Sequence, residues 1–221
     1  GYCNTTGANN NFLGRYVGLC NTTGGCNNLL GDQTGRFNTT GSHNNFFGCQ
    51  TGYLNTSGSH NNFFGCFAGL YNTTGCFNNF LGSQAGYCNT TGSNNTAPGC
   101  NSGTDAVYNF GTSPASNIIV IGNTNHTAAY VKVAWTVTSD QRDKANIAPI
   151  PHGLSFINSL NPIRYQFKDR SSGELQSEKV RYGFLAQDIL SIEGDPKVIV
   201  DETDPDNLKI TESALIPVLV K

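Results

Sequence analysis

Six consecutive residues, Ser139-Asp-Gln-Arg-Asp-Lys144, set a hydroxyl and an amine five residues apart, with a carboxylate and a guanidinium between them. A serine beside a lysine forms a self-contained nucleophile and base, provided the lysine is desolvated enough to lose its proton near neutral pH. Taken alone, six polar residues at a junction are usually a solvated turn. Their setting decides what they are.

The chain changes character at this point. Of the 15 acidic residues only Asp32 and Asp105 precede Ser139, and of the 13 basic residues only Arg15, Arg36 and Lys132 do. All 8 Cys fall within residues 3–100. The net charge of -2 argues against a nucleic-acid groove, which needs a basic stripe. No apolar run is long enough to span a membrane, and no signal-like segment opens the chain. With no Met at all, the sequence reads as a piece of a longer or processed chain.

Upstream, the sequence repeats. Asn4, Asn21, Asn38, Asn55, Asn72 and Asn89 recur every 17 residues, each opening N-T-T-G or N-T-S-G, and the glycines from Gly14 to Gly99 and from Gly18 to Gly103 keep the same step. A short fixed period with turn residues at fixed offsets predicts a solenoid. The unit is too rich in Gly and Asn for a helical repeat, so each coil should carry short strands, around Asn-Asn-Phe-Phe and around the Gly-Tyr-Leu positions. The pattern leaves a two-layered roll and a three-sided helix equally open. Stacked coils align Phe12, Leu29, Phe46, Phe63 and Phe80 in one column and Leu13, Leu30, Phe47, Phe64 and Leu81 in the next. Neighbouring strand residues face opposite ways, so one column fills the coil and the other needs a second surface, most simply an identical chain. An oligomeric fibre is expected.

Each N-T-T or N-T-S is formally a glycosylation sequon, but six at solenoid spacing read better as ladders of capping Asn and Thr. Cys3 and Cys20, like Cys49 and Cys66, stand one coil apart, within reach of a disulfide. Phe37, Leu54 and Tyr71 occupy the first of these columns in other coils, so cysteine reads there as a small apolar filler and free thiols are expected, as suits assembly in a reducing cytoplasm. His43 and His60 share a column with Cys26, but no further ligands converge, and neither metal nor cofactor is expected. Glycosidase chemistry needs paired carboxylates, and the array holds almost none. Its work is that of a stiff rod or of a display surface for a host glycan.

Residues 104–138 read as a β neck, with strands over 117–122 and 127–138 and Trp135 capping the apolar stack. Residues 139–221 read as a small α+β domain. A helix over 151–160 has Leu154, Ile157 and Leu160 on one face, and a strand runs over 163–168. A strand entering a helix covers 181–192, a strand pair spans 197–201 and 207–211, and an apolar helix from Glu212 is cut short at Lys221.

Three ordered motifs in this segment carry a resemblance. They are S-D-x-R-x-K-x-x-I from Ser139 to Ile147, I-x-x-L-x-P-x-x-Y-x-F-K from Ile157 to Lys168, and Y-G-F-x-A-Q-D from Tyr182 to Asp188. Together they resemble the intramolecular chaperone domain of phage tail fibres and tailspikes, the S74 peptidase family, also found in endosialidases and some large-virus and bacterial surface proteins. The 17-residue array resembles those upstream of such domains. The resemblance implies a homotrimeric fibre of a virion tail or extracellular surface. Its tail domain would bring three chains into register and then release itself in a single turnover. It also implies that Ser139 is the nucleophile and Lys144 its base, with Asp140 and Arg142 orienting and ion-pairing, and that the bond cut is Thr138–Ser139.

Overall fold

The computed structural model describes residues 1–104, 108–111, 116–170 and 172–220. Residues 105–107 and 112–115 of the expected neck, and Lys221 at the end of the last expected helix, lie outside the described residues. The chain divides into two compact units, Gly1–His126 and Thr127–Lys221.

The first unit is a solenoid. Strands β1 (Asn11–Leu13), β2 (Asn28–Leu30), β3 (Asn45–Phe47), β4 (Asn62–Phe64), β5 (Asn79–Leu81) and β6 (Thr96–Pro98) form one parallel sheet in sequence order. The register is the repeat itself: Phe46 pairs with Phe63 and Phe63 with Phe80. Their rings stack at 4.7 and 4.9 Å, the spacing of adjacent strands. Leu29, Phe46, Phe63 and Phe80 are wholly buried, whereas Leu13, Phe64 and Leu81 in the neighbouring column remain exposed. There is one short strand per coil rather than two. The Gly-Tyr-Leu positions are turns, although their N–H groups still bond to the next coil, as Gly52 does to Ala68 O at 2.9 Å. The cause is the glycine: Gly52 has φ 57, and a Cβ there would meet the Phe46 ring at 2.4 Å. A residue that keeps the ring packed cannot also lie in an extended strand.

Asparagine holds the coils together. Asn55 donates from Nδ2 to Asn38 Oδ1 at 2.7 Å and to Gly58 O at 2.9 Å, and Asn72 repeats this toward Asn55 and Gly75. In a second ladder the Asn44 side-chain oxygen accepts the Asn61 N–H at 3.0 Å, while its amide donates to Gly58 O at 2.8 Å. Both ladders are fully buried, so each amide replaces water for the backbone around it. Sequon asparagines Asn21 to Asn89 therefore serve as internal caps, and their nitrogens are engaged. Thr22, Thr39 and Thr56 add hydroxyl bonds to the carbonyl one coil on. The first ladder ends at Asn89 Oδ1, buried without a hydrogen-bond partner among the described residues.

The last coil breaks the period. Asn94 bonds to Asn117 and Cys100 O accepts from Asn123, both 23 residues on rather than 17. Ile119 makes one bridge to Thr96, so 117–122 is a further rung rather than a free strand. Ala97 leaves a gap in the aromatic column, and Phe110 fills it, wholly buried and stacked on Phe80 at 5.7 Å. Phe110 and Val120 belong to the solenoid core, whereas Trp135, expected as the cap, is 77% exposed. The expected strand over 127–138 is irregular chain with a bend at Lys132 and Val133 and no strand pairing among the described residues; its apolar residues Val131, Val133 and Val137 are exposed too. A strand needs a neighbour for its ladder, and among the described residues this segment has none.

In the second unit, α1 (Leu154–Ser159), α2 (Ala186–Glu193) and α3 (Leu215–Val220) pack with two hairpin-like pairs. One is β7 (Ile163–Tyr165) with β8 (Arg181–Gly183), and the other is β9 (Val200–Asp201) with β10 (Lys209–Ile210), both antiparallel. The core is Phe156, Ile189, Ile199, Val200, Leu215 and Val218. Phe156 anchors α1; Leu154, expected on its buried face, is exposed because the helix starts only at that residue.

Candidate functional site

Gln141–Asp143 form a single 3-10 turn. Asp140 caps it, accepting the Arg142 N–H at 2.8 Å and the Arg142 guanidinium at 3.1 and 2.7 Å. Arg142's side chain, and then its backbone N–H, hold the Asp140 carboxyl below the usual range. This turn reverses the chain over five residues and returns Lys144 to Ser139, with Nζ 2.5 Å from Oγ. The four residues that the sequence singled out thus form two contacts: an aspartate–arginine clip that shapes the turn and a hydroxyl–amine couple that the turn closes.

All four residues are exposed, as is Thr138 on the other side of the proposed cut. An amine in water holds its proton, so a lysine base needs a less polar setting. The single chain thus supplies the alignment of a Ser–Lys pair without enclosing it. Among the described residues no group of three or more His, Cys, Asp and Glu comes together in a metal-binding arrangement. His43 and His60 stack ring on ring at 4.8 Å, with Phe77 next at 4.9 Å. No helix among the described residues is long and apolar enough to cross a membrane.

The second and third motifs meet elsewhere in the same unit. Ile157, Leu160 and Pro162 from one, and Tyr182, Gly183 and Phe184 from the other, line an open, mainly apolar groove of about 360 Å³. Leu215, Ile216 and Leu219 of the terminal helix complete it. Ser139 and Lys144 are not among its lining residues.

Sequence reasoning missed Glu193. It is only 3% exposed, and its carboxylate accepts the N–H groups of Val198 and Ile199, both at 2.5 Å, and of Val200 at 3.1 Å. The signal was present in a glutamate directly before Gly194, which closes α2 with φ 70. A carboxylate satisfied by three backbone donors ties α2 to the start of β9. Arg181 likewise donates to Thr127 O at 2.6 Å, tethering the start of the segment that leads to the turn.

Residues 139–199 match the family model Peptidase_S74, described as the chaperone of endosialidase. No curated protein and no solved structure matches the chain. The match begins at Ser139 and takes in all three motifs, behind a solenoid of 17-residue coils. It supports a chaperone role for the C-terminal segment.

Proposed function

We propose that this protein is part of a homotrimeric fibre, of a phage-like virion tail or another extracellular appendage, assembled in a reducing cytoplasm. Its C-terminal segment sets three chains in register and then cuts itself free at Thr138–Ser139. The observation that carries this reading is the 2.5 Å contact between Ser139 Oγ and Lys144 Nζ, within the segment that matches the chaperone family. The exposed column of Leu13, Phe64 and Leu81 supports assembly, since an uncharged apolar ridge along a rod suits copies of itself.

The chemistry runs in two steps. Ser139 Oγ attacks the Thr138 carbonyl carbon while a neutral Lys144 takes the hydroxyl proton. The Thr138–Ser139 C–N bond breaks as Lys144 returns the proton to the departing Ser139 nitrogen, leaving Thr138 esterified to Ser139 Oγ. Water then hydrolyses the ester, leaving a carboxylate on Thr138 and a free amine on Ser139. An amine serves as the base only where packing excludes water, so the cut waits for assembly. Release of the chaperone segment would leave the rod kinetically trapped.

A second reading is an uncleaved rod, structural or glycan-binding, with a permanent trimeric cap; the full exposure of Ser139 and Lys144 in one chain favours it. Denatured and native mass measurements on the parent protein and on Ser139→Ala separate the two. The proposal expects a trimer in both and a fragment ending at Thr138 in the parent alone. Full-length chain persisting in a folded parent trimer would leave the cap reading, and a monomeric parent would remove both.

A further inference from the structure

The 17-residue period decides which of the eight cysteines can meet. One coil away from Cys26 stands His43, from Cys76 Ser59, and from Cys100 Ser83. Only Cys3–Cys20 and Cys49–Cys66 follow each other one period apart, and only the second pair lies mid-rod, with coils on both sides.

Cys49 and Cys66 occupy equivalent places on adjacent coils. The N–H of Phe67, the residue after Cys66, donates to Cys49 O at 3.0 Å. Gln50 and Phe67, which follow the two cysteines, share the same left-handed backbone, with φ 51 and 62. The two side chains therefore leave the rod in the same direction, half-buried. In such a stack the Cα atoms stand about 4.8 Å apart, inside the roughly 4.4–6.8 Å that a disulfide spans. Parallel Cβ atoms begin at about the same separation, roughly 1 Å wider than a relaxed disulfide. A bond closed there is under tension, so thiols can reopen it.

We propose that Cys49 and Cys66 are a reversible modification site, joined rung to rung by exchange with a small-molecule disulfide such as oxidised glutathione. The Cys66 thiolate attacks one glutathione sulfur, giving a mixed disulfide and releasing one glutathione thiolate. Cys49 then loses its proton to solvent and displaces the second glutathione. Two protein thiols are oxidised and one glutathione disulfide is reduced. Burial, and then Cys66 beside it, push the Cys49 thiol up, so the ring-closing step depends on the proximity that the stack provides. The link would clamp β3 to β4 when the rod meets an oxidising medium, and leave them free where thiols are reduced.

The test uses the full chain, incubated with oxidised glutathione, alkylated, denatured and digested with chymotrypsin without reduction. Chymotrypsin is needed because no Lys or Arg lies between Arg36 and Lys132, whereas Tyr53, Phe63 and Phe64 separate the two cysteines. The expected result is a peptide pair linked through Cys49 and Cys66 within one chain, lost on adding reduced glutathione and absent from Cys66→Ser. Recovery of both cysteines separately alkylated, or as glutathione adducts, would overturn the proposal. So would a Cys49-dependent covalent dimer on a non-reducing gel in place of the internal link.

Discussion

Phe110 stacks on Phe80 at 5.7 Å although it belongs to no repeat, filling the column where Ala97 stands in place of an aromatic ring. The solenoid is thus closed by a residue borrowed from the segment that breaks its period. Phe110→Ala should destabilise the rod by about 3–5 kcal/mol, as for other buried aromatic truncations. Urea denaturation followed by far-ultraviolet circular dichroism measures this, and a loss under about 1 kcal/mol would mean that Phe110 packs elsewhere.

The buried amide ladders make a different prediction. Asn55→Ala would leave Asn38 Oδ1 without its donor, would remove one of the two donors to Gly58 O, and would cost Asn72 one acceptor. Each buried group left unpaired costs roughly 1–3 kcal/mol. Asn55→Ala should therefore be more damaging than Ser57→Ala, an exposed neighbour in the same turn, when their urea midpoints are compared. Equal midpoints would refute a structural role for the ladder.

Asp32 links stability to pH. Arg15 first, and then Gln33, hydrogen-bond its carboxylate and hold it at about 2 against an ordinary 3.8. A carboxyl depressed by folding adds stability above its unfolded value and loses it as pH falls through the folded one. The gap in midpoint between the parent and Asp32→Asn should therefore be full at pH 5 and close between about 4 and 2. Because the pair is exposed, the gap should also shrink in high salt. A gap that persists unchanged to pH 2 would show that the pair is not its source.

Glu193→Gln replaces one acceptor oxygen by an amide nitrogen that faces a backbone donor. The loss of a charge-assisted bond should weaken the α2–β9 junction by roughly 1.5–3 kcal/mol. Hydrogen exchange at Val198–Val200 should quicken by about ten- to a hundredfold where local opening governs it. Unchanged exchange there would mean that the carboxylate is dispensable.

Much of this was legible in the sequence because a period fixes contacts as well as elements. Once Asn38 and Asn55 are 17 apart in a stack, their meeting follows, as does the meeting of Phe46 and Phe63. Where the period fails, so does the reading: nothing in the sequence shows that the last rung arrives after 23 residues or that Phe110 folds inward. The alternation over 127–138 reads as a strand, but a pattern does not reveal whether a partner lies in the same chain. The turn at Ser139 was readable as a spacing of hydroxyl and amine. The Asp140–Arg142 clip that closes it depends on side-chain geometry, which spacing cannot provide.

The amide ladder has a bearing on how such rods change length. Every Asn from Asn21 to Asn89 reaches back to the unit before it, so a newly duplicated unit brings its own donor and finds an acceptor waiting. Growth by whole units therefore asks no existing side chain to find a new companion, and each copy extends reach by about 4.8 Å. Gain or loss of part of a unit would instead have to be absorbed within one coil, as in the last, where the step is 23 residues rather than 17.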